Sequence, residues 1–325
     1  MLAAVADSPG AAGTAVQIRN VDEPEGLGGG EVAVRMLATT VNPSDLVTIS
    51  GTYGSRTAFP LVPGFEGIGV ITRIGPGVPR EAVGQRVLPI GSAGNWQQIK
   101  RTDYAWCVPV PDDIPDEIAC FAYINPLTAS QMVERFITGE TATVVITAAT
   151  STIAGHLAEL LNLNGIKPIG LSRGTPGRTV DNPSLWRDIV TTVDREWPER
   201  LAHLTGRQGA DAAFDSVGGP GGLDLMRALR PGGTLVHYGL LSGLPLPAEC
   251  FSDHLDKRIE MFRLRDLIHQ TPRNELGRLF RPVFDHLRTE RLRSTVSDRR
   301  IFAALLEVLT ADPTKPGKPL ITFPE

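Results

Sequence analysis

Residues 149–155, Ala-Thr-Ser-Thr-Ile-Ala-Gly, lie between a short β-branched run, Val144–Ile146, and an amphipathic helical segment, with a second apolar run at Lys167–Leu171. This is the order of a βαβ unit, whose first turn and helix N-terminus can hold a dinucleotide's pyrophosphate through backbone N–H groups and the helix dipole. The turn has one glycine where G-x-G-x-x-G has three. Taken alone it fits a nucleotide site and an ordinary buried βαβ unit alike. The end of the second run says more. An NAD site expects Asp or Glu there, bonded to the ribose 2′-OH, but the chain reads Ser172-Arg173-Gly174 with Arg178 just beyond. A guanidinium cannot accept from a hydroxyl, yet it pairs well with a 2′-phosphate. NADPH is therefore favoured over NADH, against the alternative of solvated loop arginines.

Other residues invite a chemical reading. Asn42-Pro43-Ser44-Asp45 reads as a helix start, with Ser44 or Asp45 capping and Pro43 setting the first turn. Gly51 and Gly54 then bracket Tyr53 on a loop, where a surface or half-buried ring is the usual fate of a tyrosine. Trp96, in Gly94–Ile99, either lines a pocket or plugs the core. No histidine precedes His156, so a metal bound in the first region would have to rely on carboxylates, which suits zinc poorly. Cys107, Cys120 and Cys250 are scattered, forming neither a disulfide framework nor a C-x-x-C lobe.

The elements that must position these residues fall into three regions. Up to about Pro115 the chain reads as strands and Gly/Pro turns: Glu31–Val41, which alternates as a half-buried strand, then Gly67–Val78 and Gly84–Ile90. From about Asp116 to Leu255 strands alternate with helices: a helix within Ile124–Phe136, the βαβ unit, strands at Asp188–Val193, Ala210–Asp215 and Thr234–Tyr238, and a helix ending at Leu229 before a Pro-Gly-Gly stop. That alternation predicts a parallel, doubly wound sheet. Ligands of such sheets sit at the carboxyl ends of the strands, at the switch point, which would align Ala149–Gly155, Ser172-Arg173, Ser216–Gly218 and Tyr238–Leu240. In the last region a sixth strand is expected within Lys257–Leu267, helices over Asn274–Arg288 and Asp298–Leu309, and a closing strand, Lys318–Phe323, hosted by the first domain. The Arg-rich stretch Leu287–Arg300 reads as a solvated helix face, or as a dock for an acidic partner or substrate phosphates.

With 325 residues, 42% hydrophobic and 21% charged, and a net charge of −4, the chain has room for two domains and no charge bias toward nucleic acid or an anionic membrane. No apolar run approaches a membrane span. The N-terminal residues do not read as a signal or transit peptide, so a reducing cytoplasm is expected.

The ordered motifs resemble the medium-chain dehydrogenase/reductase superfamily over essentially the whole chain. They are Val62-Pro63-Gly64-Phe65-Glu66-Gly67, Val83-Gly84-Gln85-Arg86-Val87, Gly209-Ala210-Asp211 with Phe214-Asp215-Ser216-Val217-Gly218, Arg230-Pro231-Gly232-Gly233, Tyr238-Gly239 and Gly317-Lys318. The zinc-binding branches are less similar, since Asn42 stands where a ligand cysteine would. The chain looks most like the mitochondrial-type 2-enoyl thioester reductases. Asn42–Gly54 is similar to their N-P-S-D-I-N-x-I-x-G-x-Y segment, Val87–Gln97 to V-x-P-x-x-x-G-x-G-T-W, and Asn125–Ala129 to N-P-x-T-A. Their nucleotide turn is often A-x-x-S-x-x-G, one hydroxyl exchange from Ala149–Gly155.

The resemblance implies an α/β fold: a β-rich GroES-like catalytic domain over residues 1–115 and 266–325, and a Rossmann doubly wound domain over 116–265. It implies NADPH-dependent reduction of a 2-enoyl thioester of coenzyme A or acyl carrier protein, zinc-independent, in fatty acid metabolism, by a homodimer. Tyr53 would be the catalytic proton donor, with Asn42 and Trp96 beside the substrate. Asn125 and Thr128 would lie against the nicotinamide. Thr150, Ser151, Thr152, Ile153, Ser172, Arg173, Arg178, Tyr238 and Gly239 would hold the rest of the cofactor. The loop after Tyr53 and the segment from Leu171 to Trp186 depart from the family and leave the acyl group open. Two readings compete: a quinone or other α,β-unsaturated carbonyl reductase, and a non-catalytic nucleotide-binding protein.

Overall fold

The computed structural model describes residues 1–52, 57–175, 178–252, 256–311 and 316–324. Tyr53 lies outside the described residues. The chain forms two units, Met1–Leu127 with Arg265–Glu325, and Thr128–Leu264.

The first unit opens with β1 (Leu2–Ala6), a short helix α1 (Ala12–Ala15) and β2 (Val16–Asn20), which pairs antiparallel with β1. β3 (Glu31–Thr39) is expected to be half-buried but is covered along nearly its whole length. It is a central strand, flanked by β4 (Gly67–Ile74), β6 (Ile99–Asp103) and the C-terminal strand. Between β3 and β4 lies α2 (Pro43–Ile49), and β5 (Arg86–Pro89) and β7 (Cys107–Pro109) extend the sheet. The short α3 (Asp116–Ala119) follows, and then α4 (Ile124–Phe136), whose first residues close this stretch of the first unit and whose remainder, from Thr128, belongs to the second.

The second unit holds β8 (Val144–Ile146), α5 (Thr152–Leu163), β9 (Ile169–Ser172), β10 (Asp188–Thr191), α6 (Trp197–Leu204), β11 (Ala210–Asp215), α7 (Gly221–Arg227), β12 (Leu229–His237) and β13 (Arg258–Met261). Its six strands are parallel, in the order β10-β9-β8-β11-β12-β13. Val145, Ile169, Leu171, Val190, Ala213 and Leu235 are buried in its core, as strands covered on both faces require. The chain runs outward from β8 to β10 and then returns to β11, so the switch point lies between β8 and β11. The strand expected within Lys257–Leu267 stops at Met261. Its remainder turns into α8 (Leu264–Gln270), where the chain re-enters the first unit at Arg265 and Leu267 and Ile268 supply a buried helical stripe.

The first unit is completed by α9 (Leu276–Arg288), β14 (Val296–Ile301), α10 (Leu305–Thr310) and β15 (Lys318–Thr322). The helix expected over Asp298–Leu309 is thus corrected to a strand followed by a short helix. β14 is the edge of the sheet β14-β15-β3-β4-β5-β7, and its Asp298, Arg299 and Arg300 are the charged side chains that a sheet edge tolerates and uses against further pairing. Their spacing imitates a polar helix face. The core gathers Val34, Met36, Ile49, Ile71, Val87, Trp96, Phe302 and Ile321, with Phe302 and Phe323 stacked at 4.6 Å. No helix among the described residues is long and apolar enough to cross a membrane.

Candidate active site

In the second unit the turn after β8 is held from both sides. Ala148 has φ +50°, and the Ala149 N–H donates to Leu171 O at 2.9 Å, tying the turn to β9. That approach works because residue 170 is glycine: a Cβ there would stand 2.7 Å from the Ala149 Cβ and 2.5 Å from Ile189. Gly155, by contrast, leaves open space where its Cβ would be. The small residue this turn needs is therefore on the neighbouring strand, where a count of glycines within the turn misses it. Ser151 is the N-cap of α5, accepting from the Ala154 N–H. An α-helix leaves its first amides without intrahelical partners, and Thr150, Ser151, Thr152 and Ile153, all half-buried, surround that end.

The carboxyl end of β11 is organised by Asp215. Its carboxylate accepts from Thr147 Oγ1 at 2.9 Å, the Val217 and Gly218 N–H groups at 3.0 Å each, and His237 Nδ1 at 2.8 Å. Burial works to raise its pKa, but the bonds from His237, Val217 and Thr147 outweigh it and hold Asp215 below the usual carboxylate range. An ionised carboxylate can only accept, so His237 Nδ1 is the donor in this bond. Beside this cluster the Ser216 Oγ and the Tyr238 hydroxyl are buried without a hydrogen-bond partner. Burial pushes the Tyr238 phenol upward; the nearby Ser216 hydroxyl works the other way but is not placed to complete a bond. At the end of β9, Ser172 is buried, Arg173 is exposed, and Arg178 is half-buried with its Nε enclosed and unpartnered. Buried polar atoms rarely go unsatisfied without a reason. A dinucleotide fits these groups: hydroxyls for ribose and amide groups, a guanidinium for a phosphate and a helix N-terminus for the pyrophosphate.

In the first unit Asn42 is the N-cap of α2, its N–H donating to Asp45 Oδ2 at 2.7 Å. The Asn42 amide is engaged at both ends: Nδ2 donates to Glu66 Oε2 at 3.0 Å, and Oδ1 accepts from the Lys318 ammonium. Lys318 also pairs with Glu66 Oε2 at 3.2 Å. Asp45 accepts the Phe65 N–H as well; burial lifts its pKa to about 7, against the pull of these donors and of Lys318. Trp96 is wholly enclosed, with Nε1–H donating to Thr40 O at 3.0 Å. Gly64, at φ +92°, presses against the indole, and a Cβ there would lie 2.3 Å from Trp96 Cδ1. Asn42 and Trp96, expected beside the substrate, are both deeply buried. Neither has an exposed face, since one is consumed by an ion-pair network and the other by the core. On α4, Asn125 of this unit is half-buried, and Thr128, the first residue of the second unit, is buried.

Two lysines among the described residues are buried, although lysine normally signals surface. Lys318 is one. The other is Lys100, whose Nζ donates to Pro89 O, Ser92 O and Asn95 Oδ1 at 2.9–3.0 Å, shaping the loop before Trp96.

Residues 28–151 match the alcohol dehydrogenase GroES-like domain. The crystal structure of a Bacillus thuringiensis protein described as an NADPH:quinone reductase superposes with a TM-score of 0.89, at 31% identity over 99% of this chain and 98% of that one. The chain belongs to the medium-chain dehydrogenase/reductase superfamily. Within the superfamily it falls in the zinc-independent branch. It is 28% identical to the mitochondrial enoyl-[acyl-carrier-protein] reductase of Dictyostelium discoideum over 90% of this chain and 86% of that protein. With the Bos taurus protein of the same name it shares 30% identity over 72% of this chain and 64% of that protein, so the match spans just under two thirds of the bovine enzyme.

Proposed function

We propose that the chain is an NADPH-dependent reductase of the C=C bond of 2-enoyl thioesters. The observation that carries the cofactor half is the enclosed, unpartnered Arg178 Nε, six residues beyond β9, with the unsatisfied Ser216 and Tyr238 hydroxyls just past the ends of β11 and β12. The substrate half is supported by relatives named enoyl-[acyl-carrier-protein] reductase and by the segment Asn42–Gly54 that they resemble.

Arg178, with the exposed Arg173, pairs with the 2′-phosphate. The N-terminus of α5 receives the pyrophosphate, while Asn125 and Thr128, one helical turn apart, orient the nicotinamide. Bound NADPH supplies a hydride for Cβ of the enoyl group. Negative charge then builds on the thioester oxygen, and Tyr53 delivers the proton to Cα. A phenol of ordinary pKa, about 10, stays protonated at neutral pH and still protonates an enolate. General-acid help of this kind contributes ~10²–10⁴-fold.

The test is NADPH oxidation with crotonyl-CoA against 1,4-naphthoquinone. Faster turnover of the thioester, and a loss of at least tenfold in Tyr53→Phe at unchanged NADPH affinity, support the reading. Turnover of the quinone alone transfers it to quinone reduction, the second reading, which the Bacillus thuringiensis neighbour favours. A chain that binds NADPH and reduces neither class is a nucleotide-binding protein.

A further inference from the structure

Lys318 and Glu66 form an ion pair whose side chains are 7% and 0% exposed. An ion pair so deeply buried recovers its desolvation cost only when further hydrogen bonds complete both groups. Here they do, and what they join is informative. Glu66 Oε2 faces Lys318 and Asn42 Nδ2, while Oε1 accepts the N–H groups of Tyr123 at 3.1 Å and Ile124 at 2.6 Å. Those two amides open α4, so they are among the donors that a helix cannot satisfy by itself. The Glu66 backbone carbonyl is pinned in turn by Thr39 Oγ1 at 2.6 Å. One ammonium from the last strand therefore bridges the start of α2, through Asn42, and, through Glu66, the start of α4.

We propose that Lys318 is a positioning residue. Its ammonium holds the Glu66 carboxylate aimed at the first amides of α4, and so sets the direction in which the neighbouring Asn125 is presented. The proposal rests on the reading of α4 as the element that orients the nicotinamide. Neutralising Lys318 would leave Glu66 buried without its cation and free to turn away from the amides. The effect should fall on the nicotinamide end of the cofactor and spare its adenosine end.

The experiment compares NADPH with 2′-phospho-ADP-ribose, which lacks the nicotinamide, in titrations of wild type, Lys318→Met, Lys318→Arg and Lys318→Met/Glu66→Leu, with thermal melts of each. Lys318→Met should weaken NADPH about tenfold, the value of one charge-assisted bond, and leave 2′-phospho-ADP-ribose unchanged. Lys318→Arg should restore most of the difference. The double variant replaces the pair by apolar groups and should recover melting temperature without recovering NADPH. Parallel weakening of both ligands, a wild-type affinity ratio in Lys318→Met, or failure of both Met variants to fold assigns the pair to stability alone and overturns the proposal. Amide hydrogen exchange at Tyr123 and Ile124 in the ligand-free chain reads the clamp independently. Faster exchange in Lys318→Met supports it even if the wild type binds neither ligand, a result that sinks only the cofactor reading. Unchanged protection refutes it.

Discussion

Replacing Asp215 by Asn tests how the carboxyl end of the parallel sheet is held. The carboxylate receives four donors: Thr147 Oγ1, two backbone amides and His237 Nδ1. An amide of the same shape keeps one acceptor oxygen, which can still serve Thr147 and the Val217 N–H. Its Nδ2 faces the Gly218 N–H and His237 Nδ1, both donors. His237 can adapt by moving its hydrogen to Nε2 and accepting from the new amide, but the Gly218 N–H cannot. One bond to a charged acceptor is lost in a buried place, and two others change from charged to neutral, for a total of about 2–4 kcal/mol. In a unit of this size that lowers the melting temperature by roughly 5–12 °C. The pH dependence follows from the depressed pKa of Asp215. A carboxylate whose folded pKa lies below its unfolded value of about 3.9 stabilises above that value, and its contribution is lost as the pH falls through the folded pKa. Wild type should lose this increment on acidification, whereas Asp215→Asn has none to lose, so the gap between them narrows toward low pH. Because Val217 and Gly218 adjoin Ser216, NADPH affinity should fall with stability. Equal melting temperatures at pH 7, or a gap that widens in acid, would refute the reasoning.

Three further outcomes are expected. Gly155→Ala should be neutral or stabilise by about 0.5–1 kcal/mol, because the site is open and helical, whereas Gly170→Ala should destabilise by about 1–3 kcal/mol through its clash with Ala149 and Ile189; paired thermal melts check both. Burial lowers the Lys100 pKa to about 7, below an unfolded value of about 10.4, so the unfolded chain holds the extra proton between these values and this group makes stability rise with pH across that window. Denaturant titrations at pH 7 and 9 should show the rise in wild type and its absence in Lys100→Met. Arg178→Gln should weaken NADPH about tenfold or more while leaving NADH binding unchanged, as nicotinamide fluorescence would report; equal losses for both cofactors would remove Arg178 from the 2′-phosphate.

The Rossmann half of the fold could be read from the chain because each of its signals is local. Buried parallel strands are short apolar runs, and their alternation with helices dictates a parallel sheet whichever residues fill the turns. What could not be read depends on neighbours distant in sequence. The turn at Ala149–Gly155 looks deficient when its glycines are counted, but the space it needs is made by Gly170 across the strand pair. Asp298–Ile301 imitates a polar helix because a sheet edge also wants charge. Asn42 and Trp96 are residue types that often meet substrates, and the partners that bury them, Glu66, Lys318 and Thr40, are not legible in their own segments. Lys318 reads as surface until Glu66, 252 positions away, is beside it. Asn42, Glu66 and Lys318 were all among the motifs that carry the family resemblance, so the sequence marked them without saying why. Their shared ion-pair network supplies the reason. Lys318, on β15 near the end of the chain, thus brings a cation inside the first unit to residues that the chain places more than 250 positions earlier.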